Sequence, residues 1–216
     1  MVGCEESQAV CLSFRELGYE AFSCDIKPCS GGRPEWHLQM DVFEAIKTKE
    51  WDVGIFFPDC TYLTCSAEWA YKDGPYHQMV KSDTLVGSER QDARKMASKF
   101  FVELYNCGIP HIAIENPVGV MSSIFRKPDQ VIQPYMFGDD ASKKTCLWLR
   151  SLPLLVGASY VQPRLVNGRP RWSNQTDSGQ NKLPPSSNRA ELRSKTFHGI
   201  AKAMATQWGE YIKNPH

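Results

Sequence analysis

The feature that most constrains this chain is a repeated passage from a short apolar run into a charged or reactive residue. Residues 52–57 (DVGIFF) lead into Pro58-Asp59-Cys60, and residues 109–114 (IPHIAI) lead into Glu115-Asn116-Pro117. Runs of this length are strands by length and by their β-branched and aromatic content. Between and around them lie segments with helical spacing. Residues 5–17 carry Ala9, Val10, Leu12, Phe14 and Leu17 and stop at Gly18, residues 42–49 form a second helix, and residues 90–107 a long third. Residues 1–3 read as the end of a strand, 20–24 as a strand ending at Asp25, 37–40 as an edge strand ending at Asp41, and 145–149 as a last strand. Such alternation predicts an α/β fold, a parallel sheet with helices on both faces. Sheets of this kind bind ligands at the carboxyl ends of their strands, and Asp25, Asp41, Cys60 and Glu115 all fall there.

Length and composition narrow the classes. At 216 residues the chain suits one domain with a real core. Its net charge is +1, so bulk charge does not announce a nucleic-acid partner. The first residues are too polar for a signal peptide, and no run approaches the ~18 apolar residues of a membrane span. The expected setting is therefore a cytoplasm, with reduced thiols and no membrane partner. Residues 61–86 are polar and aromatic (Tyr62, Trp69, Tyr71, Tyr76), a composition that predicts a mobile active-site loop closing over a ligand, or plain packing. Residues 157–195 are rich in Gly, Pro, Ser and Asn and carry Arg164, Arg169, Arg171, Lys182, Arg189, Arg193 and Lys195. They read as a nucleic-acid-facing segment or as a solvated linker. A helix over 199–212 closes the chain. The organisation expected is a core over 1–156, the basic segment over 157–195, and a terminal helix over 196–216 that returns to the core.

A cysteine at a strand end is a packing residue, a metal ligand or a nucleophile. Cys24 and Cys29, like Cys60 and Cys65, are separated by four residues, which brings a four-thiolate zinc site into consideration. Each pair straddles a different loop, however, and neither has the tighter knuckle spacing, so no metal is assigned. The zinc-deaminase signature is missing. The nucleophile reading gains from Glu115. A thiolate adding to a pyrimidine ring needs the ring made electrophilic, and a carboxyl group that protonates the ring nitrogen does this.

The ordered set PDC (58–60), ENPVGV (115–120) and FHGIAKAMATQWG (197–209) resembles the DNA cytosine-5 methyltransferases, most of all their small, phage-type members. The likeness spans most of the chain. It implies a Rossmann-like S-adenosylmethionine-dependent methyltransferase sheet with a reduced target-recognition region in 157–195, and DNA as partner. Cys60 then matches the nucleophile and Glu115 the ring-nitrogen acid. Gly3, Cys4, Glu5 and Ser7 occupy the first cofactor loop. Asp25 and Ile26 stand at the ribose, Asp41 and Val42 at the adenine, and Pro58 in the Pro-Cys motif. Gly199 and Ile200 belong to the last motif, at the methionine end. Asn116, Lys143, Lys144, Arg164 and Arg193 are implied in holding DNA. Asp59 stands where the family carries proline, next to the thiol. Two other readings of the same residues are a methyltransferase fold acting on an exocyclic amine or free nucleotide, and a non-catalytic nucleic-acid-binding protein.

Overall fold

The structure, a computed structural model, describes residues 1–186 and 189–214. Seven strands form one sheet: β1 (Val2–Gly3), β2 (Ser23–Asp25), β3 (His37–Gln39), β4 (Val53–Phe56), β5 (His111–Pro117), β6 (Gln130–Ile132) and β7 (Thr145–Arg150). Their spatial order is β3-β2-β1-β4-β5-β7-β6. All neighbours run parallel except β7, which is antiparallel to both β5 and β6. The expected all-parallel sheet is corrected there. No crossover helix separates β6 from β7, so the chain turns back and must pair antiparallel. The first five strands follow Rossmann order, with the topological reversal between β1 and β4.

Side chains alternate across the sheet as a two-residue period requires. Ile55, Ala113, Leu147 and Leu149 face one way, packed on Val10, Cys11 and Phe14 of α1 (Ala9–Glu16) and on Ile200, Met204 and Trp208. Phe56, Ile112, Ile114, Cys146 and Trp148 face the other way, onto α2 (Val42–Lys47) and Phe101 and Leu104 of α3 (Gly87–Tyr105). Helices therefore cover both faces.

Several boundaries differ from the sequence reading. Helix α1 starts at Ala9 because residues 4–8 form a loop in which Cys4 (φ 58°) and Gln8 (φ 59°) are left-handed. The short α4 (Met121–Ile124), strand β6 and the structure inside 157–195 carry too little periodicity to be read from sequence. In the last region a hairpin forms, β8 (Arg164–Val166) and β9 (Arg169–Arg171), around a left-handed Asn167-Gly168 turn. It is followed by α5 (Arg189–Ser194). The closing helix is α6 (His198–Ala203), which runs through a π-helical turn (Met204–Trp208) into α7 (Gly209–Lys213). Among the described residues no helix is long and apolar enough to cross a membrane.

Gly199 fixes how α6 meets the core. Its N–H donates to Asp139 Oδ2 at 2.9 Å, and a Cβ there would collide with the Phe137 carbonyl oxygen. Gly199→Ala should therefore push α6 off this seat, destabilising the protein by about 3 kcal/mol. The expected fall in Tm is roughly 6–12 °C for a chain of this size, measured by calorimetry.

Candidate functional site

The carboxyl ends of the parallel strands bring the reactive residues onto one edge. Leu38, Cys24, Gly3, Phe56 and Ile114 lie in one row across the sheet, paired in that order. Just beyond this row come Cys4, Asp25, the 57–60 loop and Glu115. This edge includes the β1/β4 reversal, where a Rossmann sheet opens its crevice.

Two contacts join the loops after β4 and β5. The Asn116 side chain, 2% exposed, donates to the Pro58 carbonyl at 2.9 Å. The Val120 N–H donates to the Leu63 carbonyl at 2.8 Å, and a Cβ on Gly119 would strike that same oxygen. Cys60 is thereby held next to Glu115. Burial pushes the Cys60 thiol above its ordinary range; the carboxylates of Asp59 and Glu115 push the same way, and the Lys143 ammonium opposes them. Burial also raises the Glu115 carboxyl, against Lys143 and a hydrogen bond with Thr145. One lysine thus works on both members of the pair. Lys143 Nζ in turn donates to the Arg193 carbonyl of α5 at 3.1 Å, and Thr145 Oγ1 lies 3.3 Å from the Lys143 carbonyl.

Asp59 bonds within its own loop. Its Oδ1 accepts from the Thr61 N–H at 2.9 Å and the Thr61 hydroxyl at 2.7 Å, a local Asx turn. Beyond it, Arg94 of α3 grips the loop. It donates to the carbonyls of Tyr62 (2.9 Å) and Thr64 (3.2 Å), pairs with Glu68 at 2.6 Å, and stacks on the Tyr71 ring at 3.4 Å. Tyr71 is buried, so this aromatic is a packing anchor and not part of a lid. Trp69 packs edge-on against Tyr76 and His77.

The other half of the edge is acidic. Asp25, Asp41 and Asp59 all act on the Cys4 thiol, which burial and these charges push up. Asp25 Oδ1 accepts from the Lys27 N–H at 3.0 Å, and Asp41 Oδ1 caps α2 through Phe43 N–H at 2.8 Å. Among the described residues, none donates a hydrogen bond to the second oxygen of either carboxylate. Ile26 is 74% exposed beside Asp25, bare apolar surface at the mouth of the crevice. This set offers carboxylate oxygens to hydroxyl or amine donors of a ligand and an apolar wall to a ring.

Several predicted residues serve the fold. Gly3 is close-packed, since a Cβ would meet Phe56 and Val42. Val42 and Ile200 are core residues. The Glu5 side chain turns inward and caps α1, accepting from Val10 N–H at 2.6 Å and Cys11 N–H at 3.2 Å. Asn116 is committed to Pro58. Arg164 pairs with Asp177 at 2.6 Å. Ser7 is half-buried, and Lys144 and the Arg193 side chain are exposed. Sequence reasoning missed Gln8, a buried, left-handed residue whose amide bonds Ser23 Oγ (3.1 Å), the Arg33 carbonyl (2.9 Å) and the Arg33 N–H (3.1 Å). It missed Thr145, Gly119 and Arg94 as well. No spacing marks any of these; they matter through contacts made far along the chain. All eight cysteines are free thiols, and among the described residues no group of three or more His, Cys, Asp or Glu gathers as metal ligands.

Compared with known proteins, the chain matches no family model, and no curated protein is significantly similar to it.

Two measurements check this electrostatic description. Alkylation of Cys60 followed by peptide mass spectrometry across pH should shift to lower pH in Asp59→Asn, which keeps the turn but removes a repelling charge, and to higher pH in Lys143→Ala. Glu5 supplies the second. Burial pushes its carboxyl from 4.5 up to about 8, despite the two N–H groups it accepts. The folded state therefore holds a proton that the unfolded state releases, and Glu5 costs stability increasingly as pH rises from about 4.5 to about 8. In Glu5→Gln, denaturant unfolding should lose this decline with pH.

Proposed function

We propose that the protein transfers a methyl group from S-adenosylmethionine to carbon 5 of cytosine in DNA through a covalent Cys60 adduct. The observation that carries the reading is the Cys60–Glu115 pair, set on adjacent parallel strand ends with Lys143 against both. That is the equipment for adding a thiol to an electron-poor ring while protonating the ring's nitrogen. It also answers the motif resemblance in the same residues.

Each residue then has a task. The resting Cys60 is a thiol; it releases its proton to solvent, and Lys143 is the charge that favours the thiolate. The thiolate adds to carbon 6 of a cytosine lifted out of the stack. Glu115, whose raised affinity for a proton suits a donor, delivers that proton to the ring nitrogen and leaves an enamine. When bound, S-adenosylmethionine supplies the electrophilic methyl that carbon 5 takes up. Loss of the carbon 5 proton to solvent, departure of Cys60 as thiolate and return of the ring-nitrogen proton to Glu115 restore the aromatic ring. The free oxygens of Asp25 and Asp41 and the exposed Ile26 would hold the cofactor, with the 4–8 loop alongside. Asn116 orients the pair through Pro58. Lys144 and the basic residues of 157–195 would meet the phosphates.

Trapping tests the reading. In DNA containing 5-fluorocytosine the fluorine blocks the final elimination. With cofactor present, the protein should stall as a denaturation-resistant complex joined at Cys60. Cys60→Ala should form none, and Glu115→Gln should slow adduct formation by roughly 10²–10⁴-fold. Methyl transfer undiminished in Cys60→Ala would move the assignment to another acceptor, such as an exocyclic amine. Cofactor and DNA binding with no adduct and no methylated product would leave a non-catalytic binding protein.

A further inference from the structure

Asp59 has no task in the reaction proposed above, and its place is chemically awkward. A carboxylate beside the nucleophile opposes the thiolate that the reaction needs. Its position is nevertheless fixed. The turn that Asp59 Oδ1 makes with the Thr61 N–H (2.9 Å) and the Thr61 hydroxyl (2.7 Å) has Cys60 as its middle residue. The carboxylate is thereby pinned across the backbone of the nucleophile. Asp59 is exposed, and among the described residues none donates a hydrogen bond to its Oδ2. The loop that carries it leaves the sheet directly beside the β1 loop. Gly3 and Phe56 are register partners, and the Phe57 N–H donates to the Gly3 carbonyl at 3.0 Å. The charge of Asp59 accordingly reaches two thiols, Cys60 on its own loop and Cys4 on the other.

The proposed reaction dictates what must come close to this carboxylate. Cys60 adds to carbon 6, and the methyl group goes to carbon 5, its neighbour in the ring. With reacting atoms about 3–3.5 Å apart at each contact, the sulfur that carries the methyl stands within roughly 10 Å of Cys60 Sγ in any productive pose. That sulfur is a sulfonium cation in S-adenosylmethionine. As the methyl leaves, the sulfur keeps the bonding pair and its charge is cancelled. S-adenosylhomocysteine therefore presents a neutral thioether at the same point.

Resting on the methyl-transfer reading above, we propose that Asp59 makes the site discriminate the charge on the cofactor's sulfur, favouring the cationic methyl donor over the neutral product. A carboxylate at this range attracts a cation even when water partly screens the pair, and it has no ionic hold on a thioether. The same pairing offsets the burden on Cys60, because a nearby cation weakens the field that opposes the thiolate. The nucleophile is restrained until the donor is in place. Asp25 and Asp41 do not supply this discrimination. In the same reading their oxygens meet hydroxyl and amine groups that donor and product share.

The test is isothermal titration calorimetry of the full chain with three ligands: S-adenosylmethionine, S-adenosylhomocysteine, and sinefungin, a stable analogue with an amine where the sulfonium stands. Asp59→Asn keeps an oxygen for the Thr61 turn and removes the charge. It should weaken both cations about 3–10-fold relative to S-adenosylhomocysteine, the size of a partly screened charge pair. Asp59→Ser, which forms the same kind of turn through its hydroxyl, should do likewise. Asp25→Asn, at the hydroxyls that all three ligands share, should weaken them alike. Affinity ratios left unchanged by both Asp59 variants, or shifted as far by Asp25→Asn, would overturn the inference while leaving the cofactor reading standing. No binding of any of the three ligands by wild type would overturn both.

Discussion

The arrangement of the site depends on one buried hydrogen bond, from the Asn116 amide to the Pro58 carbonyl. As a stability term it contributes only about 1 kcal/mol, although leaving either buried partner unmet would cost about 1–3. Its larger effect is positional. Strands β4 and β5 are already parallel neighbours, but their carboxyl-end loops are free to diverge. Asn116 and the close approach of Gly119 to Leu63 bring them together, and Cys60 falls beside Glu115 as a result. Arg94 extends the same restraint down the 61–71 segment, which is anchored to α3 by hydrogen bonds, an ion pair and a stacked ring.

Electrostatics divide the edge of the sheet in two. One half gathers Asp25, Asp41 and Asp59 around the β1 loop. The other sets a lysine against a thiol and a carboxyl whose affinity for a proton burial raises. In the proposed reaction such a pair acts only once its occupant supplies a ring nitrogen for one group and an electrophilic carbon for the other. Lys143 also contacts α5 through Arg193, which physically links the reactive pair to the basic module.

Much of the framework was legible in the sequence. The strands ending at Gly3, Asp25 and Phe56 and the helices between them follow from apolar run length and helical spacing, since both depend on neighbours a few residues away, whereas β5 runs on past Glu115 to Pro117 because those residues pair with β7. The antiparallel β7 and the 157–195 region were less legible. Direction in a sheet is decided by what connects the strands, and a basic, Gly- and Pro-rich composition suits a linker and a compact hairpin module alike. The module's order comes from Trp172 on Tyr135 and from Asp140 and Asn174, contacts more than thirty residues apart that leave no periodic trace.

The sequence by itself determined that Asp25, Asp41, Cys60 and Glu115 stand at or near the carboxyl ends of strands, because strand termini depend on neighbours a few residues away. Only the tertiary structure decided what each side chain is free to do. It turned Glu5 inward to cap a helix, committed Asn116 to a carbonyl and Arg164 to Asp177, and left Ile26, Asn167 and Arg169 bare. The physical reason is competition for hydrogen bonds and buried space. A polar side chain takes whichever partner packing brings nearest, and that partner lies dozens of residues away.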